Sequence, residues 1–431
     1  MESVWHNSVE LPHFQPLLED KKTDVLIIGG GMAGIMTAFF LHRLGVDYIL
    51  VEKDEICGET TGNTTAKITV QHGLIYHKIL KNYGVEYASK YLNANNTALL
   101  KYYELCKTID CEFEISDNYV YTVDDRYTLE EEMNALQKIG FNAALCEKPS
   151  IPLKTAGAVK FPNQAHFHPL KFIKSICNDL NIHENTFVYE MTNNTAKTKN
   201  GSIKAQNIVV ATHFPFINKH GFYPLKLYQH RSYVIALENA MDINGMYVDE
   251  SDTGMSFRNY GNMLLLGGGG HRTGKKGGNW NEIRKFANKQ LPNAVEKYHW
   301  SAQDCMSIDS IPYIGLYSKS TPNLYVASGF NKWGMTGAMV SAMLICDALM
   351  GKKNEFADVF DPSRNFLKPQ LLVNTFESVK NLLTISRKRC PHLGCALKWN
   401  SIEHSWDCPC HGSRFTKTGR VINNPANCNM K

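Results

Sequence analysis

Asp24-Val-Leu-Ile-Ile28 runs without interruption into Gly29-Gly-Gly31-Met-Ala-Gly34, and the unit built around this junction decides the fold. The apolar run has strand length. The residues after the glycines follow a helical pattern, with Met36, Phe39, Phe40 and Leu44 on one side and Gly45 ending it. Tyr48-Ile-Leu-Val51 is the next strand, closed by Glu52. A lone G-x-G-x-x-G is weak evidence, but strand, turn, helix and strand in this order are the context that gives it meaning. Gly29 permits the tight turn, Gly31 lets the backbone approach a pyrophosphate, and Gly34 lets helix and strand pack closely. The helix N-terminus stabilises phosphate charge. Glu52, eighteen residues after Gly34, can accept from ribose hydroxyls, and its charge repels a 2′-phosphate. The unit predicts an α/β nucleotide-binding domain with a dinucleotide cofactor.

At the other end of the chain stand Cys390-Pro-His392-Leu-Gly-Cys395 and Cys408-Pro-Cys410-His411-Gly-Ser413. The frame is C-x-H, fifteen residues, then C-x-x-H. Tetrahedral zinc sites ordinarily use C-x-x-C arms, or His pairs separate from Cys pairs. Here each arm carries one Cys and one His. That suits a cluster with two different irons, one held by two thiolates and the other by two imidazoles. Neutral imidazole leaves the cluster less negative, so its potential rises. A zinc knuckle or unrelated scattered cysteines is the alternative reading of the same residues.

The chain between these ends has 431 residues in all, enough for large cores and two or three domains. Its apolar, aromatic and charged fractions are those of an ordinary soluble enzyme. A net charge of +5, scattered along the chain, gives no argument for nucleic acid. Arg387-Lys388-Arg389 reads as a solvated edge, or a site for a redox partner's acidic face. The first thirty residues lack the apolar core of a secretory signal. Residues 338–350 form the longest apolar stretch near the C-terminus, too short to span a bilayer, and read as a buried helix. Seven cysteines, at 57, 106, 111, 146, 177, 305 and 346, have no pair spacing. Together these features predict a cytoplasmic protein without a transmembrane segment.

The C-terminal arms resemble the Rieske [2Fe–2S] family. The resemblance implies that Cys390, His392, Cys408 and His411 are the ligands. It implies a disulfide between Cys395 and Cys410, protected by burial in a reducing compartment. It places Ser413 where a hydroxyl donates to a bridging sulfur, and Phe415 where some relatives have a Tyr donor. It also puts His392 and His411 at the solvent-facing end of the cluster, where a partner would dock.

The N-terminal unit continues into Gly58-Glu-Thr-Thr-Gly62-Asn-Thr-Thr-Ala-Lys67-Ile-Thr-Val-Gln71-His-Gly73, a small, hydroxyl-rich loop. It resembles the segment under the flavin in D-amino-acid oxidase-like (DAO) FAD-dependent oxidoreductases. Glu184-Asn-Thr-Phe-Val188 looks like that family's strand whose Val backbone touches adenine. Ile208-Val-Val-Ala-Thr212 looks like its return strand at the cofactor. Ile311-Pro-Tyr-Ile-Gly315 and Leu324-Tyr-Val-Ala-Ser-Gly329-Phe-Asn-Lys-Trp-Gly334-Met-Thr336-Gly337 look like its second flavin-contact region. The resemblance spans about residues 20–365. It implies FAD contacts at Gly29, Gly31, Gly34, Glu52, Thr65, Ala66, Val188, Gly329, Gly334, Met335 and Thr336.

The expected architecture is a glutathione-reductase-like Rossmann FAD domain interleaved with an antiparallel-sheet substrate domain, plus a small Rieske domain. Residues 1–365 form the DAO-like part, with FAD-binding portions at about 20–90, 180–235 and 300–365. Residues 366–431 form the Rieske part. Residues 118–123 and 231–236 alternate as strands of a roof over the flavin. Gln164, His166 and His168 are candidates for the pocket wall, and His271 and Arg272 for its edge; no catalytic residue is assigned. Asp361-Pro-Ser-Arg364 reads as the end of the flavoprotein part, and only twenty-five residues then precede Cys390. Those include a helical stretch around 371–383 where a full Rieske domain has base strands. The result is a minimal cluster domain, braced against the flavoprotein. The combination, with Trp5 and Thr64-Thr65-Ala66-Lys67, resembles a bacterial group of DAO-type flavoproteins with a C-terminal Rieske domain. That implies an amine or amino-acid dehydrogenase that oxidises a C–N bond and passes electrons from FAD to the cluster and on to a one-electron partner. The alternatives are reverse flow from a partner to the flavin, or a redox module without substrate turnover.

Overall fold

The computed structural model describes residues 2–430 apart from 193, 252 and 253. Its first sheet is built on the predicted unit. The strand Lys21–Ile28 lies between Tyr48–Val51 and Gly201–Val210, parallel to both. All four residues of Tyr48–Val51 are buried, as a parallel strand covered on both faces requires. The order runs Tyr313–Leu316, Leu324–Ser328, Gly201–Val210, Lys21–Ile28, Tyr48–Val51, Ile182–His183, with a short hairpin, Glu190–Thr192 and Thr195–Thr198, on Gly201–Val210. Three separated stretches of chain thus build one sheet. Helices Met32–Arg43 and Gly334–Leu349 pack against each other beside it. The second of these holds the apolar stretch 338–350 up to Leu349, with Met350 as its C-cap, and is buried along most of its length.

The second sheet has nine strands and includes both alternating runs, in Glu114–Thr122 and Leu227–Glu238. It is antiparallel except where Met246–Asp249 pairs parallel with Glu114–Thr122. These two strands are far apart in sequence, so no hairpin dictates their direction. Residues 184–188, expected as a strand, are instead a bend and extended coil after Ile182–His183. Their backbone bonds go to the loop after Glu52: Thr186 N to Glu52 O at 2.8 Å and Asn185 N to Asp54 O at 2.9 Å. Trp5, in the helix Val4–Ser8, is fully buried and donates from Nε1 to Thr64 O at 2.7 Å, tying the N-terminus to the hydroxyl-rich loop.

The C-terminal part is a helix, Pro369–Leu383, followed by a four-stranded antiparallel meander of three-residue strands, Lys398–Asn400, Ser405–Asp407, Arg414–Thr416 and Val421–Asn423. A sheet this small buries little of its own. Its core is chiefly the four cysteines of the two loops with Leu397, Phe415 and Ala426.

Candidate active site and metal centre

A cavity of about 730 Å³ lies between the strand ends Ile28, Val51 and Ala211 of the parallel sheet and Val234, Ser256 and Gly267 of the nine-stranded sheet. The three glycines divide the work there as their spacing predicts. A Cβ on Gly34 would stand 1.9 Å from Gly29 O, and one on Gly29 would stand 2.5 Å from Ala211 O. Both glycines therefore permit backbone to touch backbone. A Cβ on Gly31 would meet only Thr61 Oγ1, at 3.4 Å, and Gly31 faces the cavity. Thr61 Oγ1 accepts from Met32 N at 3.0 Å and so steadies the helix start. Glu52 lines the cavity; its carboxylate accepts from Gly30 N at 2.7 Å and Asp54 N at 3.2 Å. Burial pushes its pKa up, against those two bonds.

Gly29, Gly31, Glu52, Thr65, Val188, Gly334 and Met335 all border this cavity. Gly34, Ala66, Gly329 and Thr336 stand behind its wall. Thr336 Oγ1 and His72 Nε2 are 3.0 Å apart, and the His72 ring stacks on Trp333 at 5.1 Å. His72 itself borders the cavity, and sequence reasoning did not single it out. Nothing in its local pattern marks it, because its partners Tyr91 and Trp333 come from distant segments.

The residues 164–168 do not form the pocket wall. Gln164 Oε1 accepts from Val70 N at 2.7 Å, and His168 caps the helix Pro169–Cys177 by accepting from Lys171 N at 3.1 Å. His166 is buried beside Arg258 and Lys67, and desolvation with those charges pushes its pKa down to about 2. Lys67 lines the cavity. Burial and then the charge of Arg258 lower its pKa to about 7. Arg258 is fully buried between Trp5 and Tyr260, and none of its three guanidinium nitrogens has a hydrogen-bond partner among the described residues. Lys67 thus places a cation on the cavity wall, and Arg258, whose charge Glu114 and Glu112 partly offset, stands behind it.

The second site lies against the first. The loops 390–395 and 408–413 are matched turns: Gly394 N donates to Cys390 O and Gly412 N to Cys408 O, each at 2.9 Å. They bring the sulfurs of Cys390 and Cys408 into contact. The rings of His392 and His411 face each other edge to face at 5.0 Å. The Nδ1 atoms of both histidines are buried and without any hydrogen-bond partner. Two orphaned imidazole nitrogens beside two thiols are the donor set that an asymmetric two-iron cluster needs. Cys395 and Cys410 are buried free thiols whose sulfurs, with that of Cys408, lie within 4.8 Å of one another. Ser413 Oγ accepts from Ala426 N at 3.0 Å.

The expectation that both imidazoles face solvent is overturned. His411 is buried, and its ring lies 6.2 Å from Phe214. His392 lies 6.4 Å from Phe214, and its Nε2 donates to Asn218 Oδ1 at 2.8 Å. The flavoprotein covers His411 and part of His392, which stays half-exposed. Gln229 Nε2 donates to His411 O and to Asn424 O, both at 2.9 Å, and Gln303 Nε2 donates to Gly412 O at 2.9 Å. A Cβ on Gly412, whose φ is +84°, would stand 2.5 Å from Gln229 Cβ. Arg272, expected at the pocket edge, instead donates to Pro409 O at 3.1 Å and Cys410 O at 3.2 Å. His271 contacts Tyr233 at 2.9 Å and does not border the cavity. Arg389 is likewise structural, donating to the carbonyls of Leu382, Thr384 and Gly394. Asn424, Pro425, Ala426 and Asn427 of the C-terminal part are themselves cavity wall.

Fold and sites together define a two-cofactor oxidoreductase, with a nucleotide-binding flavoprotein and an iron–sulfur part sharing one wall. The family model for FAD dependent oxidoreductases (DAO) matches residues 24–348, and that for the Rieske [2Fe-2S] domain matches residues 360–431. The chain belongs to the DAO family of FAD-dependent oxidoreductases and carries a C-terminal Rieske domain; its cofactors are FAD and a [2Fe–2S] cluster. It is 33% identical to a putative Rieske 2Fe-2S iron-sulfur protein, YhfW, of Bacillus subtilis, over 99% of this chain and 96% of that one. A cytochrome b6-f complex iron-sulfur subunit 1 from a Nostoc species is 51% identical over 37 residues, covering 9% of this chain and 21% of the subunit. Similar solved folds include glycine oxidase from Geobacillus kaustophilus, with a TM-score of 0.66 and 17% identity over 80% of this chain and 99% of that one. L-proline dehydrogenase from P. horikoshii aligns with a TM-score of 0.66 and 18% identity, over 80% and 98% of the two chains.

Proposed function

We propose that this oxidoreductase oxidises a small amine or amino acid at a C–N bond, and that electrons pass from FAD to the cluster of the same chain and on to a one-electron partner. The run Ala211-Thr-His-Phe214 carries this reading. Its first three residues border the cavity, and the fourth packs on both cluster histidines. FAD, when bound, supplies acceptance of two electrons and their release one at a time, and the cluster takes them singly. Gly29, Gly31, Gly34 and Glu52 would hold the nucleotide half. Thr65, Ala66, Gly329, Gly334, Met335 and Thr336 would hold the flavin half, and Val188 the adenine. Cys390, His392, Cys408 and His411 would ligate the cluster, with the free Nδ1 atoms as the two nitrogen donors. Cys395 and Cys410, whose sulfurs lie within 4.8 Å, would pair as a disulfide across the loops. The boundary between the two parts falls at residues 365 and 366.

Lys67, which donates to Thr65 Oγ1 at 3.1 Å and has Arg258 behind it, favours a substrate that carries an acid group, since a carboxylate in the cavity would pair with its ammonium. The fold relatives named for glycine and L-proline support the same choice. No helix among the described residues is long and apolar enough to cross a membrane, and the scattered cysteines support a cytoplasmic location. The test is anaerobic spectral titration with a panel of amines and amino acids. A substrate should bleach the flavin and then reduce the cluster. In Cys408→Ser, bleaching should persist at a rate close to wild type while turnover with a one-electron acceptor stops. Loss of both together, with FAD still bound, would refute the outward flow.

A further inference from the structure

The helix Pro369–Leu383 sits on the protein inside out. Its buried residues are Asn374, Glu377 and Asn381, all polar. They attach it by polar bonds: Asn374 Nδ2 donates to Leu225 O at 3.1 Å, Arg272 donates to Asn374 Oδ1 at 2.8 Å, and Lys275 pairs with Glu377 at 2.5 Å. The opposite face is apolar and open. Leu372, Phe376 and Leu383 are 74%, 65% and 78% exposed, Val379 lies between them, and Ile385 just beyond the helix is 99% exposed. The positions 372, 376, 379 and 383 are spaced four, three and four apart, which puts them on one stripe of a helix. Single exposed apolar residues are ordinary, but a continuous stripe of this kind marks an interaction surface.

Charge identifies what that surface fits. Lys380 flanks the stripe, Lys368 precedes the helix, and Arg387 and Lys388 follow it. The single acid of the helix, Glu377, points inward to Lys275. Lys368 Nζ lies over the Tyr83 ring of the flavoprotein, 4.4 Å from its centroid, so the exposed face is apolar with a basic rim at its C-terminal end, made by Lys380, Arg387 and Lys388. A second copy of the chain is disfavoured, because its exposed face carries no acid to meet the basic rim: Glu377 is turned inward onto Lys275. An acidic lipid surface satisfies both features: acyl chains cover the stripe and anionic headgroups meet the rim.

We propose that Pro369–Leu383 and the residues after it form a peripheral docking surface for an anionic lipid bilayer. The helix lies in the interface with Leu372, Phe376, Val379 and Leu383 below the headgroups and the basic residues among them. The surface borders the cluster part directly: Arg389 joins the carbonyls of Leu382 and Thr384 at the helix end to Gly394 of the first cluster loop. Docking therefore holds the loop 390–395 against the bilayer. This inference does not depend on the substrate reading, since neither the stripe nor its rim borders the cavity.

The test uses the full-length holoprotein in co-sedimentation with vesicles of phosphatidylcholine alone or mixed with phosphatidylglycerol. Binding is expected to the mixed vesicles and to be roughly tenfold or more weaker on pure phosphatidylcholine or in 0.5 M salt. Phe376→Glu with Leu383→Glu should lower binding to mixed vesicles by roughly tenfold or more. Arg387→Glu with Lys388→Glu should do so by another route that leaves the apolar stripe intact. Flavin and cluster spectra unchanged from wild type establish that both variants are folded. Absence of binding to mixed vesicles would overturn the proposal. So would binding that ignores both pairs of substitutions, or light scattering that shows a dimer dissociated by Phe376→Glu.

Discussion

Replacing Glu403 with Ala should undock the iron–sulfur part before anything else fails. Glu403 lies between the strands Lys398–Asn400 and Ser405–Asp407, and its side chain is 5% exposed. Its carboxylate accepts from Arg231 Nε at 3.1 Å, the Arg414 guanidinium at 2.9 Å, Tyr233 Oη at 2.8 Å and Ser301 Oγ at 3.1 Å. Arg231, Tyr233 and Ser301 belong to the flavoprotein, and Arg414 to the cluster part. Without the carboxylate, Arg414 still has Asp407 at 3.1 Å, but Arg231 is left as a buried cation whose remaining hydrogen bond is to Ser301. One uncompensated buried charge costs about 3–5 kcal/mol. At a urea dependence of about 2–3 kcal/mol per molar, that lowers the midpoint for loss of the cluster's visible circular dichroism by roughly 1–2.5 M. FAD fluorescence should report a smaller change, because, of the flavoprotein residues bonded to Glu403, Tyr233 borders the cavity while Arg231 and Ser301 do not. Adding Arg231→Met should recover most of the loss, since the stranded charge is then gone as well.

The same group sets an acid limit. Desolvation would raise the Glu403 pKa, but Arg231 and Arg414 hold it at about 2, below the ordinary 4.5. A carboxylate with a depressed folded value stabilises fully above its unfolded value, and that stabilisation is lost as pH falls through the folded value. Docking should therefore weaken from about pH 4.5 toward pH 2, and the Glu403→Ala protein should lack this component. A midpoint for Glu403→Ala equal to wild type, or a double variant whose loss is the sum of the singles, would show that the ion cluster does not hold the two parts together.

Gly31→Val should fold yet lose FAD, because its side chain enters the cavity, whereas Gly34→Val should fail to fold, since its Cβ would stand 1.9 Å from Gly29 O; circular dichroism and retained flavin separate the two outcomes. Cys395→Ser should keep FAD and lose iron, measured by iron analysis and Rieske-type EPR; an unchanged cluster would count against the bridge. For an amino-acid substrate, KM should rise as pH passes about 7, where Lys67 loses its charge. Lys67→Met should flatten that profile; a profile identical to wild type would remove Lys67 from substrate binding.

The sequence by itself determined what is local. Gly29, Gly31 and Gly34 have their meaning within one strand, turn and helix, and the two ligand arms within two short loops, so spacing alone makes both legible. Residues 164–168 and His271-Arg272 misled because polar residues near glycines and prolines look alike whether they face a pocket or satisfy backbone. Gln164 went to Val70, His168 to a helix cap, and Arg272 to the carbonyls of Pro409 and Cys410. Only the tertiary structure decided that His411 is buried and that His392 turns to Phe214 and Asn218, because these partners, and the Gln229 that holds the His411 carbonyl, lie far away in the chain and carry no motif. The helix Pro369–Leu383 shows the limit most plainly. Its apolar period is readable, but a period does not say which side the protein takes. Asn374 and Glu377 found partners on the flavoprotein, and the Asn381 carbonyl accepts from Ala396 of the cluster part, and so the apolar face was left outside.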